Sequence, residues 1–200
     1  MNGTETSKRS RRVPRVCVCI SGGGRTLLNL HDQIRAGRLG AEVALVIASA
    51  ECSGAERARE RGLPVVVERG TIAEGRLAGL LADHRIDWVV LAGYLKLLPI
   101  LRGYEGRVVN IHPALLPDFG GPGMYGHRVH EAVLASGKKE SGCTVHLCDS
   151  AYDRGPIVLQ RRVPVLPGDT PDTLAARVFG AECEAYPEAL RCLFEKHPAG

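Results

Sequence analysis

The chain is 200 residues long, 44% hydrophobic and 24% charged, with a formal net charge of +4. That size holds one sizeable core without staples, and the balance excludes disordered and fibrous classes. No apolar run approaches the ~20 residues that span a bilayer and no signal-like segment opens the chain, so a cytoplasmic protein without a membrane partner is expected.

The positive excess is local. Five basic residues fall between Lys8 and Arg15, around the run "SKRSRR". Residues 1–13 read as a disordered basic tail and residues 14–200 as one domain. A basic cluster also suits nucleic acid or a membrane surface, but the solvated tail is the reading taken, with no nucleic-acid partner. Seven cysteines, at 17, 19, 52, 143, 148, 183 and 192, are odd in number and form no C-x-x-C pair. They read as free thiols in a reducing compartment.

From Val13 a strand, turn and helix texture repeats. "VPRVCVCI" is a short buried strand, with Cys17 and Cys19 on one face. "SGGG" punctuates it. "RTLLNLHDQIRAG" has apolar residues at helical spacing and stops at Gly37. "AEVALVIAS" is a second strand. "SGAERARERG" is a helix with Ser53 as N-cap and Gly62 as stop. "LPVVVE" is a third strand. "TIAEGRLAGLLADH" is a third helix, with Thr71 and Glu74 spaced as a capping box. "IDWVVLAG" is a fourth strand, and a short helical piece is expected from Leu95 to Leu101.

"GRVVNIH" is the next strand. After Gly137 the texture changes: "SGCTVHLCD" and "GPIVLQRRVPV" are strands joined by the short "SAYDR", which suits an antiparallel connection. A long helix closes the chain, with Thr170 as cap, Pro171 in the first turn, and Pro187 expected to kink or break it. The expected fold class is α/β: a three-layer sandwich, with a Rossmann-like, mostly parallel sheet, helices on both faces and an antiparallel part toward the C-terminus.

Three stretches carry candidate chemistry. In "SGGGRT", Ser21 to Thr26, consecutive glycines ahead of a helix N-terminus make an anion cradle. Leu27 stands where a dinucleotide fingerprint needs glycine, and the Walker GK[ST] is missing, so a phosphate monoester fits best. The same turn would also serve merely to pack helix on strand. In "VVNIHPALLP", Asn110 and His112 share a strand face, and Pro113 ends the strand there. Both side chains then lie where α/β sheets bind ligands, with an amide to donate to an oxyanion and an imidazole to move a proton.

The third stretch, "HLCDSAYDRGPI", holds Asp149 and Asp153 in a loop. Each taken singly reads as a turn former, while a constrained loop also suits a carboxylate held against the strand-end histidine. His127 and His130, with Glu131 adjacent, and His146 alone make no metal motif; they read as surface helix histidines and an isolated residue, so no metal is expected.

The motifs "ISGGGRT", "LAGYLKLLPI", "VNIHPALLPDFGGPGMYGHRVHEAV", "GCTVHLCDSAYDRGPIVLQ" and "LPGDTPDTLAARV", followed by "YPEAL", occur in this order. Together they resemble the phosphoribosylglycinamide formyltransferases of purine synthesis, within the wider formyltransferase superfamily marked by NIHP-x-LLP. The resemblance covers residues 14 to 195 and implies one formyltransferase catalytic domain. It also implies transfer of a formyl group from 10-formyltetrahydrofolate, the cosubstrate, to the amine of glycinamide ribonucleotide.

Carried over by motif, Asn110, His112 and Asp153 are the catalytic residues. Gly24, Arg25 and Thr26 would hold the substrate phosphate, and Gly93 and Glu182 its glycinamide and ribose portions. The folate would lie along Leu95, Lys96, Leu97 and Leu98 and against Cys148 and Asp149. The partners implied are these small molecules, with the protein a monomer or homodimer.

Two features depart from the pattern. Arg25-Thr26 stands where many members have Ser-Asn or Thr-Asn, and "FGGPGMYG" is a longer glycine-rich loop, expected to cover the site. A formyltetrahydrofolate hydrolase would usually add an N-terminal regulatory domain. A methionyl-tRNA formyltransferase would add a C-terminal RNA-binding one. The alternatives kept are such a hydrolase and a non-catalytic folate- or nucleotide-binding domain.

Overall fold

A computed structural model describes residues 12–198, so positions 1–11 of the basic tail lie outside the described residues. Seven strands form one sheet: β1 (Arg15–Ile20), β2 (Glu42–Ala48), β3 (Val65–Val67), β4 (Trp88–Leu91), β5 (Val108–His112), β6 (Glu140–Leu147) and β7 (Ile157–Pro164). Their order is β3-β2-β1-β4-β5-β6-β7. The first five pair in parallel. β6 runs antiparallel to β5 and β7 antiparallel to β6. The five helices are α1 (Arg25–Arg35), α2 (Ser53–Glu60), α3 (Glu74–Asp83), α4 (His127–Ala135) and α5 (Pro171–Lys196). Among the described residues no helix is long and apolar enough to cross a membrane.

Side-chain alternation along β1 divides the core in two. Val16, Val18 and Ile20 pack with α1, α2 and α5 through Leu27, Ala55, Leu174 and Tyr186. Cys17 and Cys19 point to the other face and pack with Leu77, Leu80 and Leu81 of α3. The sheet is therefore covered on both sides, which is why its strands read as continuous apolar runs. The strand order reverses between β1 and β4, and the crevice at their carboxyl ends is where such sheets bind ligands. Two contacts tie its walls together. Ser21 N donates to Gly93 O at 3.1 Å, and Leu95 N donates to Ser21 Oγ at 2.9 Å.

Several local expectations are corrected. The Leu95–Leu101 stretch is not helical. Pro99 disfavours helical backbone at Leu98, and the Leu95 N–H is spent on Ser21. Leu98 is buried while Leu95 and Leu97 are exposed, so the leucine spacing reflects a loop with one inward residue. α3 begins at Glu74 behind Ala73 with no side-chain cap, so Thr71 lies too far back to close a capping box. α2 starts at Ser53 behind Cys52, again uncapped by a side chain. Its Gly54 N–H is satisfied by Gly22 O at 3.1 Å instead. Thr170 does cap α5, in a reciprocal arrangement with Thr173, and Pro171 sits in the first turn.

Pro187 does not break α5, which runs unbroken for 26 residues. A proline removes the N–H that would bond the carbonyl four residues earlier, here Cys183 O. Asn29 of α1 fills that gap, its Nδ2 donating to Cys183 O at 3.0 Å. A neighbouring helix thus supplies the donor that the proline removes. Asn29→Ala should cost about 1 kcal/mol in urea unfolding, and the cost should shrink in a Pro187→Ala background, where the helix regains its own N–H. Equal costs in both backgrounds would show that the two residues are uncoupled.

The glycine turn owes its shape to close approach. A Cβ on Gly54 would stand 2.4 Å from Gly22 O and 2.8 Å from Gly24 N. One on Gly24, whose φ is +69°, would stand 2.9 Å from Gly54 Cα. The N-terminus of α2 is thus pressed against the turn that precedes α1. Gly54→Ala is expected to lower stability by about 1–3 kcal/mol, read as a drop in Tm; an unchanged Tm would mean that the turn yields freely.

Candidate active site

Asn110 and His112 stand two residues apart at the carboxyl end of β5, on one face of the strand. The antiparallel register sets His146 of β6 directly opposite Asn110. His146 Nδ1 lies 3.0 Å from Leu147 O, a pure acceptor, so Nδ1 carries the proton. Nε2 is then free to accept from Asn110 Nδ2 at 3.1 Å. Asp153 arrives from the loop between β6 and β7, with φ +56°, a left-handed conformation that Asp adopts more readily than most residues.

The two oxygens of Asp153 meet separate partners. Oδ1 lies 3.4 Å from Asn110 Nδ2 and 3.5 Å from His146 Nε2. Oδ2 accepts from Gly121 N at 3.0 Å and lies 3.5 Å from His112 Nδ1. Two glycines permit this approach. A Cβ at Gly120 would stand 2.5 Å from Leu116 Cδ2 and 3.2 Å from Asp153 Cβ, and one at Gly155 would stand 1.7 Å from Leu147 O.

His112 Nε2 lies 2.8 Å from Phe119 O and must donate to it. In the neutral ring Nδ1 is then bare and faces a carboxylate. Burial lowers the ring's pKa, against the pull of Asp153 and of the Phe119 carbonyl. His112 is therefore neutral at pH 7, and a proton added to the pair falls between Nδ1 and Oδ2. Burial alone would raise the Asp153 carboxyl. A proton carried by the His146 or His112 ring and the Gly121 N–H outweigh it, so Asp153 sits below its usual range and stays ionised.

Asn110, His112, His146 and Asp153 line a cavity of about 520 Å³, within the range of small-molecule pockets. Arg25, Thr26, Gly93, Leu95, Lys96, Leu97, Leu98, Cys148, Asp149 and Glu182 line it too. Gly24 is the one predicted site residue outside that lining; it is buried against Gly54 and shapes the turn. Asp149 is exposed and accepts from Ala151 N at 2.8 Å, as a turn former does. The Cys148 thiol is pushed up to about 12 by burial, with Asp153 and Asp149 adding to the effect, so it is neutral. The Glu182 carboxyl is pushed up to about 7 by burial, with Arg25 pulling the other way.

Three residues escaped the sequence reading. His146, dismissed there as isolated, is buried at the centre of the site. Only the β5–β6 register reveals it. His130, expected on the surface, is 5% exposed because α4 turns Val129, His130 and Val133 inward, and its Nδ1 has no hydrogen-bond partner among the described residues. His127 is the exposed member, 2.6 Å from Asp172 and 3.4 Å from Glu131. Tyr186 is fully buried, with its hydroxyl 2.9 Å from Leu91 O and 3.0 Å from Val109 O, so α5 is anchored against β4 and β5.

Known proteins share this arrangement of chain. The formyl transferase family model matches residues 14–190. The chain is 42% identical over 194 residues to a chloroplastic phosphoribosylglycinamide formyltransferase of Vigna unguiculata, covering 92% of this chain and 62% of that protein. It is 38% identical over 200 residues to the protein of the same name from Arabidopsis thaliana, covering 95% and 68%. The chain thus spans about two thirds of the length of these plant relatives. The solved structure of glycinamide ribonucleotide transformylase 1 from Symbiobacterium toebii superposes with a TM-score of 0.84 at 38% identity, over 92% of this chain and 89% of that one. With the match running from β1 into α5 and taking in every element of the cavity, the chain belongs to the formyl transferase family.

Proposed function

We propose that the protein transfers the formyl group of 10-formyltetrahydrofolate to the amine of glycinamide ribonucleotide, as a cytoplasmic step of purine synthesis. The observation that carries this reading is the meeting of Asn110, His112 and Asp153 in the cavity that Arg25 and Thr26, just after the glycine turn, also line. The ribonucleotide phosphate sits at Arg25 and Thr26, with its ribose toward Glu182 and its glycinamide arm passing Gly93. The folate lies along Leu95 to Leu98 and against Cys148 and Asp149. The backbone and apolar walls there suit a flat heterocycle.

The amine attacks the formyl carbon, and its oxygen gains negative charge. Asn110 is placed to donate to that oxygen. One of its N–H groups is held by His146 Nε2, while the other rests on Asp153 Oδ1 at the long distance of 3.4 Å. The longer contact is the one that yields to a stronger acceptor. The proton lost by the amine passes to the His112–Asp153 pair, whose bare Nδ1 faces the carboxylate. The resulting imidazolium is stabilised by Asp153 and in turn favours the oxyanion. Returned to the folate nitrogen, that proton lets tetrahydrofolate leave.

Asn110→Ala and His112→Ala should each lower kcat by about 10²–10⁴-fold while KM for glycinamide ribonucleotide changes little, followed by the absorbance change on folate deformylation. Full turnover in either variant would remove this mechanism. Formate released without the amine acceptor would point to a hydrolase.

The pH profile carries a second test. Asp153 raises the His112 pKa against burial, so Asp153→Asn should lower it further. The acidic limb of kcat/KM should lie below pH 6.5 in the parent and at still lower pH in the variant, with kcat down by about 10²-fold or more. An unmoved limb would make the carboxylate purely structural.

A further inference from the structure

We propose that His130 of α4 is a further substrate-binding residue, whose Nε2–H donates to the amide carbonyl oxygen of the acceptor's glycinamide arm. The proposal rests on the function assigned above and deepens it. His130 is 5% exposed and lines the same cavity as His112. Neither of its ring nitrogens has a hydrogen-bond partner among the described residues. The other imidazoles that line the cavity all find partners: His112 at Phe119 O, His146 at Leu147 O and His127 at Asp172. Val129 and Val133 share the inward face of α4 and are buried as well, so a turn of the helix that brought the ring to water would expose both. An imidazole withdrawn from water with nothing to bond is costly, and a ligand that supplies the partner removes the cost.

The two nitrogens are not equivalent. Nδ1 is sealed from solvent. Nε2 is therefore the one that a ligand in the cavity can reach. Burial lowers the ring's pKa, and the His127 and His112 rings add to the effect, so His130 is neutral at pH 7 and carries one N–H. A sealed N–H without an acceptor is a rarer defect than a sealed lone pair, so the proton sits on Nε2. His130 thus offers the cavity a neutral donor.

Its place selects the ligand group. The rings whose charge acts on His130 are those of His112, at the reacting centre, and of His127, which meets Asp172 of α5. His130 therefore stands between the end of β5 and α5. The acceptor's amine lies at Asn110 and His112, and its ribose lies toward Glu182 on α5. The amide joins the two, and its carbonyl oxygen is the hydrogen-bond acceptor of that stretch. The folate is remote from this wall, since Tyr94 and Leu98 beside it belong to the core on the opposite face of the sheet from Val133 of α4.

The test is steady-state kinetics of the whole protein with a thermal melt of each variant. His130→Leu removes the donor and keeps the position apolar. It should raise KM for glycinamide ribonucleotide by about 5- to 20-fold with kcat within about threefold, as loss of an interaction common to ground and transition states does. KM for 10-formyltetrahydrofolate should hold, and Tm should not fall, because an unpaired polar group leaves the interior. A glutamine amide reaches roughly to Nε2 and an asparagine amide roughly to Nδ1. His130→Gln should therefore recover most of the KM, and His130→Asn should resemble His130→Leu. Ribose 5-phosphate, which lacks the amide, should bind parent and His130→Leu alike in titration calorimetry.

A histidine kept only for packing would give a lower Tm in His130→Leu with both KM values moved together, and that pattern would overturn the proposal. So would an unmoved KM for glycinamide ribonucleotide in His130→Leu, or recovery by His130→Asn in place of His130→Gln. A matching loss of ribose 5-phosphate would move the contact to the sugar and overturn the assignment to the amide. A parent unable to formylate glycinamide ribonucleotide would sink the assigned reaction and this role with it, whereas an active parent with KM unmoved in His130→Leu sinks the role alone.

Discussion

The Asp153 carboxylate sits in a left-handed turn after β6, where its two oxygens face groups from β5, β6 and the segment after β5. A carboxylate largely removed from water is costly unless paired, and here the Gly121 N–H and the Asn110 amide donate to it, with two imidazoles alongside. The arrangement requires β6 to run antiparallel to β5. A parallel strand in that place would carry its following loop away on a crossover helix. The antiparallel pair instead puts His146 opposite Asn110, and the β6–β7 loop brings Asp153 back beside both. The change of strand direction at β5 is thus what brings the site together.

The same carboxylate governs the glycine-rich segment after Pro117. Gly121 donates to Asp153 Oδ2, and Phe119 accepts from His112 Nε2. The backbone that closes one side of the cavity is therefore bonded to both His112 and Asp153. Each bond has an electrostatic sense. The Phe119 carbonyl fixes the proton on Nε2 and leaves Nδ1 bare toward Asp153, while the Gly121 N–H helps to keep the carboxylate ionised. A segment expected only to cover the site also sets the protonation state inside it.

The layered α/β pattern was legible in the sequence because it rests on two local periods, and both survive in the structure. β1 alternates Val16, Val18 and Ile20 against Cys17 and Cys19 between the two core clusters. Asn110 and His112 were legible for the same reason, with Pro113 marking where the strand ends. His146 was not, because its place depends on the pairing register of two strands 36 positions apart. The Leu95–Leu101 stretch misled because one buried leucine and a proline in a loop imitate helical spacing. His130 misled because the polar residues flanking it hide which way α4 is turned.

α5 shows how a departure from local rules serves the site. Pro187 denies Cys183 O its helical donor, and Asn29 supplies one from α1. One residue before the proline, Tyr186 reaches the carbonyls of Leu91 in β4 and Val109 in β5. Toward its N-terminus the same helix presents Glu182 and then Phe179 to the cavity, with Arg25 of α1 laid on the ring. α1 and α5 are thus joined twice, by an amide at the proline and by a cation on an aromatic ring at the cavity. Asn29 lies one turn along α1 from Arg25, so both contacts to α5 come from one side of α1. Among the described residues, the longest helix and the lining of the cavity at Arg25 and Phe179 thus meet in one packing contact.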